Sequence, residues 1–265
     1  MSLLEARNLN VSIGSVRVAE RLNWKLNAGE IWGLLGRNGV GKTTLMQTLA
    51  GIRPADSGEI LLDGQALSAL SRRQIARRLG MLTQHTRYAF DASCLETALV
   101  GRHPHLSAWA RERAEDRAMA QGTLAELGLA ELAERSCMEL SGGETRRLGL
   151  ATVLVQDPEV LLLDEPVNHL DPANQVEMLD VIYRRAWRQQ RAVMMSLHDV
   201  NLTTCYCTHL LMLFGDGQWL AGSSEQLLTA ANLSRLYQCQ VRLVDDGQQQ
   251  VFAVAASKQP WPVSG

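Results

Sequence analysis

No apolar run in this 265-residue sequence approaches the roughly 18 residues that mark a membrane-spanning helix. The opening decapeptide MSLLEARNLN has neither the basic start nor the apolar stretch of a secretory signal, so a cytosolic protein is expected, and any membrane role has to come through a partner. Positive charge is not in excess. Lys and Arg total 26 against 28 Asp and Glu, a formal net charge of −2 that gives no electrostatic reason to expect nucleic acid. Two local arginine clusters (Arg72, Arg73, Arg77 and Arg78; Arg184, Arg185, Arg188 and Arg191) read as solvated helix faces. Paired cysteine is lacking as well. The five residues Cys94, Cys137, Cys205, Cys207 and Cys239 are odd in number and scattered, and the two of the C-x-C do not share a helix face. Free, mostly buried thiols are the expectation. His103 and His105 flank Pro104 without a further ligand at metal-binding spacing. What remains, 46% apolar and 20% charged residues, is ordinary globular composition with ample material for a core.

The stretch around which the chain is organised is Gly36-Arg37-Asn38-Gly39-Val40-Gly41-Lys42-Thr43, followed by Thr44. It satisfies G-x-x-x-x-G-K-[ST] at every fixed position, between an apolar strand (Glu30 to Leu35) and a helix without Pro or Gly (Lys42 to Ala50). Backbone N–H groups in such a turn converge on phosphate oxygens, and the helix N-terminus adds positive potential. Lys42 supplies a point charge for the β- and γ-phosphates, and the Thr43 hydroxyl a ligand for Mg²⁺. A nucleoside triphosphate is the implied ligand.

The rest of the chain adds to this. Leu3 to Leu26 reads as short strands broken at Gly14, and Glu59 to Leu62 as a strand entering an Asp63-Gly64 turn, so an antiparallel sheet beside the core is expected. Ser71 to Arg78 reads as a helix, and Gly80 to Thr83 as a strand running into Gln84, which can reach Mg²⁺ or an attacking water. Residues 85 to 140 read as mostly helical, Trp109 to Leu127 included. Ser141 and Glu144 in LSGGE form a capping box, and Gly142 and Gly143 leave bare N–H groups at a second anion-seeking helix end. Glu159 to Leu163 is a buried parallel strand ending in Asp164, placed for Mg²⁺, and Glu165, placed as general base. Asn168-His169-Leu170-Asp171 precedes Pro172 and a helix. Ala192 to Leu197 is another buried strand, with His198 at its end, able to contact a γ-phosphate. Leu210 to Phe214 and Gln218 to Ala221 read as a hairpin; the residues near Pro260 and Pro262 read as a loose tail.

Taken in order, GRNGVGKT, Gln84, LSGGE, LLLDEP, NHLD and His198 resemble the nucleotide-binding subunit of ATP-binding cassette (ABC) transporters over nearly the whole chain. The resemblance implies an α/β P-loop NTPase fold: a mostly parallel core sheet flanked by helices, an antiparallel β-subdomain and an inserted helical subdomain. The corresponding division is 1–84 (strand-rich, with the P-loop), 85–157 (helical), 158–240 (core) and 241–265 (C-terminal strands and tail). It also implies a head-to-tail dimer in which Ser141, Gly142 and Gly143 of one copy contact the ATP on the other. Asp171 then lies at the dimer interface, Asp164 and Gln84 meet Mg²⁺, Glu165 is the base and His198 touches the γ-phosphate. Ile13 occupies the place where the family stacks an aromatic residue on adenine. The segments SRRQIARRLGMLTQ, ALVGRHPH and NHLDPANQ look like the ATPases of bacterial importers for ferric siderophores, haem and cobalamin. Such a subunit sits on the cytoplasmic face of the inner membrane, bound to a permease that a substrate-binding protein feeds. An exporter ATPase, or a soluble cassette ATPase, is the alternative.

Overall fold

Strands β1 (Ser2–Ile13) and β2 (Val16–Asn27) pair antiparallel across a tight turn at Gly14. The computed structural model describes residues 2–84, 88–107, 111–168, 170–245, 247 and 250–255. The two strands are twelve residues each, longer than the short pieces expected from the sequence. The reason lies in the register, which slips between Ala6 and Leu9. Asn8 and Arg21 adopt positive φ there, and the amide side chains of Asn23 and Asn10 accept the N–H groups of Asn8 and Arg21. Polar side chains thus replace ladder bonds and interrupt the alternation that would announce a long strand.

After β3 (Ile31–Gly36) and helix α1 (Lys42–Leu49), strand β4 (Ser57–Leu62) returns to pair with β1, and β5 (Gln65–Ala66) completes a sheet in the order β2-β1-β4-β5. Gly58 has φ +92°, and a Cβ there would lie 2.5 Å from the Asn8 carbonyl oxygen and 2.6 Å from Leu9 Cα. Both are backbone atoms, so neither can rotate away. Gly58→Ala is expected to destabilise the protein by about 3 kcal/mol through combined strain and overlap. A urea unfolding midpoint within error of wild type would contradict that packing.

The chain continues with α2 (Arg72–Arg78), β6 (Leu79–Leu82), α3 (Cys94–Leu99), α4 (Ala114–Glu126), α5 (Gly142–Val155), β7 (Val160–Leu163), α6 (Pro172–Gln189) and β8 (Ala192–Ser196). Then follow α7 (Val200–Tyr206), β9 (His209–Leu213), β10 (Trp219–Ser223), α8 (Ser224–Leu227), α9 (Ala230–Tyr237), and the hairpin β11 (Val241–Asp245) and β12 (Gln250–Val254). The main sheet has the order β10-β9-β3-β8-β7-β6, parallel throughout except for β10.

Strands β3, β7 and β8 are buried along their whole length, because both sheet faces are covered. Alternate residues serve opposite layers. Trp32, Leu34, Val160, Leu162 and Met194 pack toward the antiparallel sheet and α1, while Ile31, Leu35, Leu161, Leu163 and Met195 pack toward the helices from α3 onward. With four neighbouring parallel strands, β3, β8, β7 and β6, the segments that leave their C-terminal ends emerge on one edge.

The arginine clusters are more than solvated faces. Arg73 and Arg77 both donate to the Pro104 carbonyl, Arg78 pairs with Asp63 and Glu159, and Arg185 pairs with Glu126. Long side chains on an exposed helix can reach across to a neighbour, which charge counting does not reveal. Cys94, Cys137 and Cys207 are buried free thiols, Cys239 is half-buried and Cys205 is exposed. Trp109, His169 and the segment with Pro260 and Pro262 lie outside the described residues. Among the described residues, no helix is long and apolar enough to cross a membrane.

Candidate functional site

The glycine-rich turn follows directly from the buried strand β3. Gly41, at φ +101°, is the N-cap of α1, and a Cβ on it would sit 2.4 Å from Val18 Cγ2. Only glycine gives both that backbone and that approach. The first turn of α1 has no side-chain cap, so its N–H groups are left for a ligand. Val40 is buried under the turn, and Gly36 packs between Val40 and Leu213. Lys42 is buried too. Its Nζ donates to the carbonyls of Gly36 (2.8 Å) and Arg37 (3.3 Å). Burial lowers the pKa of this ammonium, and the charges of Glu165 and Asp164 act against that shift.

The carboxylates come from the end of β7. Asp164 is fully buried; its Oδ2 accepts the Thr43 hydroxyl at 2.5 Å, and its Oδ1 the Ser196 hydroxyl at 2.8 Å. Ser196 Oγ in turn accepts the backbone N–H of Glu165 at 2.7 Å. Glu165 holds φ +51°, the left-handed region that a branched or long side chain seldom adopts, and this turns its side chain toward the cleft. Its Oε1 lies 2.7 Å from His198 Nε2, and its Oε2 accepts Gln84 Nε2 at 2.9 Å and Asn168 Nδ2 at 2.8 Å. Burial pulls the Glu165 pKa upward, but the His198, Asn168 and Gln84 contacts outweigh it and hold the group below the usual carboxylate range. Glu165 is therefore an ionised, oriented acceptor at neutral pH.

One open cleft of about 460 Å³ collects Ile13, Asn38, Gly39, Gly41, Lys42, Thr43, Thr44, Gln84, Glu165, Asn168 and His198. Residues from the loops that follow β3, β6, β7 and β8, with the end of β1, thus face one space. Gln84 reaches Glu165 in this arrangement. The residues Ser141, Gly142 and Gly143 do not line the cleft; they sit at the N-terminus of α5, with Ser141 and Gly142 exposed. The expected capping box is formed, Ser141 with Glu144. Asp171 caps α6 by accepting the Asn174 N–H at 3.0 Å, also outside the cleft. Arg37 turns away to bond Gln238.

Three participants escaped the sequence reading. Ser196 is a lone hydroxyl inside the apolar run AVMMSL, and Asn168 opens the NHLD motif, whose acid drew the attention. Arg146 is a buried arginine at an inward-facing position of α5. The donor set suits Mg²⁺: a hydroxyl and a carboxylate, both hard oxygen ligands, already adjoin at Thr43 and Asp164.

The chain is similar to known proteins over most of its length. The petrobactin import ATP-binding protein FpuD of Bacillus anthracis is 33% identical over 244 residues, 92% of this chain and 89% of that protein. The hemin import ATP-binding protein HmuV of Bordetella avium is 34% identical over 241 residues, covering 88% of this chain and 91% of its own. Among solved structures, a metal-chelate type ABC transporter in an inward-facing conformation superposes with a TM-score of 0.84 at 27% identity, over 97% of this chain and 99% of that one. The ABC transporter family itself matches residues 19–168, a span that holds the phosphate turn, the capped glycine pair of α5 and both carboxylates, and the chain belongs to that family.

Proposed function

We propose that this chain is the ATP-hydrolysing subunit of an importer for metal chelates of the siderophore, haem or cobalamin kind, working as a pair of copies beneath a separate permease. The observation that carries the reading is the pairing of a complete hydrolytic site with an incomplete enclosure. The cleft holds a phosphate turn and an oriented carboxylate, while a second glycine-rich helix end, at Ser141 to Gly143, lies outside it with Ser141 and Gly142 exposed. A second copy turned head to tail brings that helix end to the triphosphate. The similarity to petrobactin and hemin import proteins supports the cargo class.

In the mechanism, the N–H groups of the turn from Gly36 to Thr44, with Lys42, hold the β- and γ-phosphates. Thr43 and Asp164, with Gln84 nearby, would hold Mg²⁺, which neutralises charge developing on the phosphate oxygens when bound. Glu165 accepts a proton from the attacking water, and His198, Asn168 and Gln84 fix the direction of its oxygens. In this reading His198 also meets the γ-phosphate, and Asp171 meets the partner copy. Closure of two copies on ATP and their release after hydrolysis give the permease two positions to follow. The helical stretch within 85–157 is the lobe proposed to receive that permease, at the cytoplasmic face of the inner membrane, with a substrate-binding protein delivering the cargo.

Ile13 offers the nucleobase an apolar contact without stacking. Ile13→Tyr is expected to tighten ATP binding roughly 3- to 10-fold, the worth of an aromatic pair, as read by fluorescent-nucleotide titration. An unchanged affinity would place the base elsewhere. The assembly itself is tested by co-purifying the tagged chain from membranes: a multi-span permease supports the reading, and recovery of soluble proteins alone contradicts it.

A further inference from the structure

The arginine in the second turn of α5 is engaged to capacity. Arg146 is 7% exposed, and its guanidinium meets five backbone carbonyls. Nε donates to Pro166 at 3.1 Å, Nη1 to Thr83 at 2.5 Å and Gln84 at 3.2 Å, and Nη2 to Glu165 at 2.8 Å and to Asp164. A guanidinium has five N–H donors in a planar fork, so all of them are used. The acceptors belong to two chain segments, the exits of the neighbouring parallel strands β6 and β7. Three consecutive carbonyls, from Asp164 to Pro166, converge on one cation, a shape made possible by the left-handed backbone of Glu165. Burial works against the charge of Arg146, while the carboxylates of Asp164 and Glu165 favour it.

The location gives this clamp a consequence. Arg146 lies three residues after Gly143, so the helix that carries it begins with the glycine pair. The Arg146 guanidinium, at the tip of that side chain, grips the backbone of Gln84 and Glu165, whose side chains bond each other in the cleft. We propose that Arg146 is a positioning residue that fixes the catalytic carboxylate of one ATP site and the glycine-rich helix end serving the other as a single rigid unit. The inference rests on the two-copy reading given above. Methionine, neutral and unbranched, keeps the stem's packing but leaves five inward carbonyls without a donor. Lysine keeps the charge but has three donors on one nitrogen and cannot span both strand exits.

The test uses the full-length chain carrying Arg146→Met or Arg146→Lys, alone and in a Glu165→Gln background. Expected for both single variants is a fall in kcat of roughly 100-fold, the size associated with a displacement of about 1 Å at a reacting centre, with the Kd for Mg-ATP within about threefold of wild type. In the Glu165→Gln background, where turnover plays no part, Arg146→Lys is expected to raise the ATP concentration needed for dimer formation by about tenfold or more. A residue that merely fills space predicts that folded Arg146→Lys keeps kcat and dimerisation within twofold of wild type, and that result overturns the proposal. Should Arg146→Met give no folded protein, Arg146→Lys decides alone. Hydrogen exchange on wild type provides an independent arm: ATP is expected to protect the amides of residues 83–84, 164–165 and 142–146 together, and protection of one segment without the others overturns the single-unit claim. A wild-type chain without ATPase activity would instead refute the hydrolytic reading, which is a separate outcome.

Discussion

Glu165→Gln is expected to lower ATP hydrolysis by about 10³-fold while leaving ATP affinity near that of wild type. The amide has nearly the shape of the carboxylate but cannot take a proton from water. Its oxygen can still accept from Gln84 and Asn168, and its NH₂ can face His198 if the imidazole presents Nε2 as an acceptor, so the contacts around the group can persist. Phosphate binding is untouched, since the turn and Lys42 lie on different segments. ATP that binds but is not cleaved holds the closed pair, so the variant is expected to shift from monomer to dimer with saturating Mg-ATP. Light scattering after size exclusion reads that shift directly. A variant that remains monomeric at saturating ATP would contradict the two-copy site.

Ser141→Arg is expected to abolish hydrolysis to a similar extent by a different route. Ser141 is exposed and lines no part of this chain's own cleft. Losing its cap on the Glu144 N–H costs about 1 kcal/mol of helix stability, which a protein of this size tolerates. An arginine at that corner puts bulk where a close approach to phosphate is required. ATP binding to the single chain, measured with a fluorescent nucleotide, is therefore expected to stay within about threefold of wild type, while ATP-dependent dimerisation and turnover are lost. If binding to the monomer disappears as well, Ser141 acts within its own chain's site, and the assignment of the helix end to a partner copy fails.

Much of this was legible because the phosphate-binding elements obey local rules. The turn from Gly36 to Thr43 has fixed spacing, Ser141 and Glu144 sit at capping distance, and the run from Val160 to Leu163 is apolar up to the acid that follows it. Each motif depends on neighbours in sequence, so spacing alone reveals it. What could not be read depends on strand order. Nothing in the sequence places β6, β7, β8 and β3 side by side, yet that order brings Gln84, Glu165 and His198 within hydrogen-bonding reach. Ser196 and Arg146 were missed for the same reason: each looks like an interruption of an apolar pattern until its distant partners are known. The long strands β1 and β2 were obscured by bulges: Arg7 and Asn8 are both exposed, as are Glu20 and Arg21, so the alternation breaks at those points.

The central claim, that two copies of this chain complete each other's ATP site, is tested most directly by phosphate release from Mg-ATP at rising chain concentration, with molar mass followed in parallel. Activity per chain is expected to climb with concentration and level off as the mass reaches that of a dimer. A folded monomer that hydrolyses ATP at the same rate per chain across the whole range would contradict it.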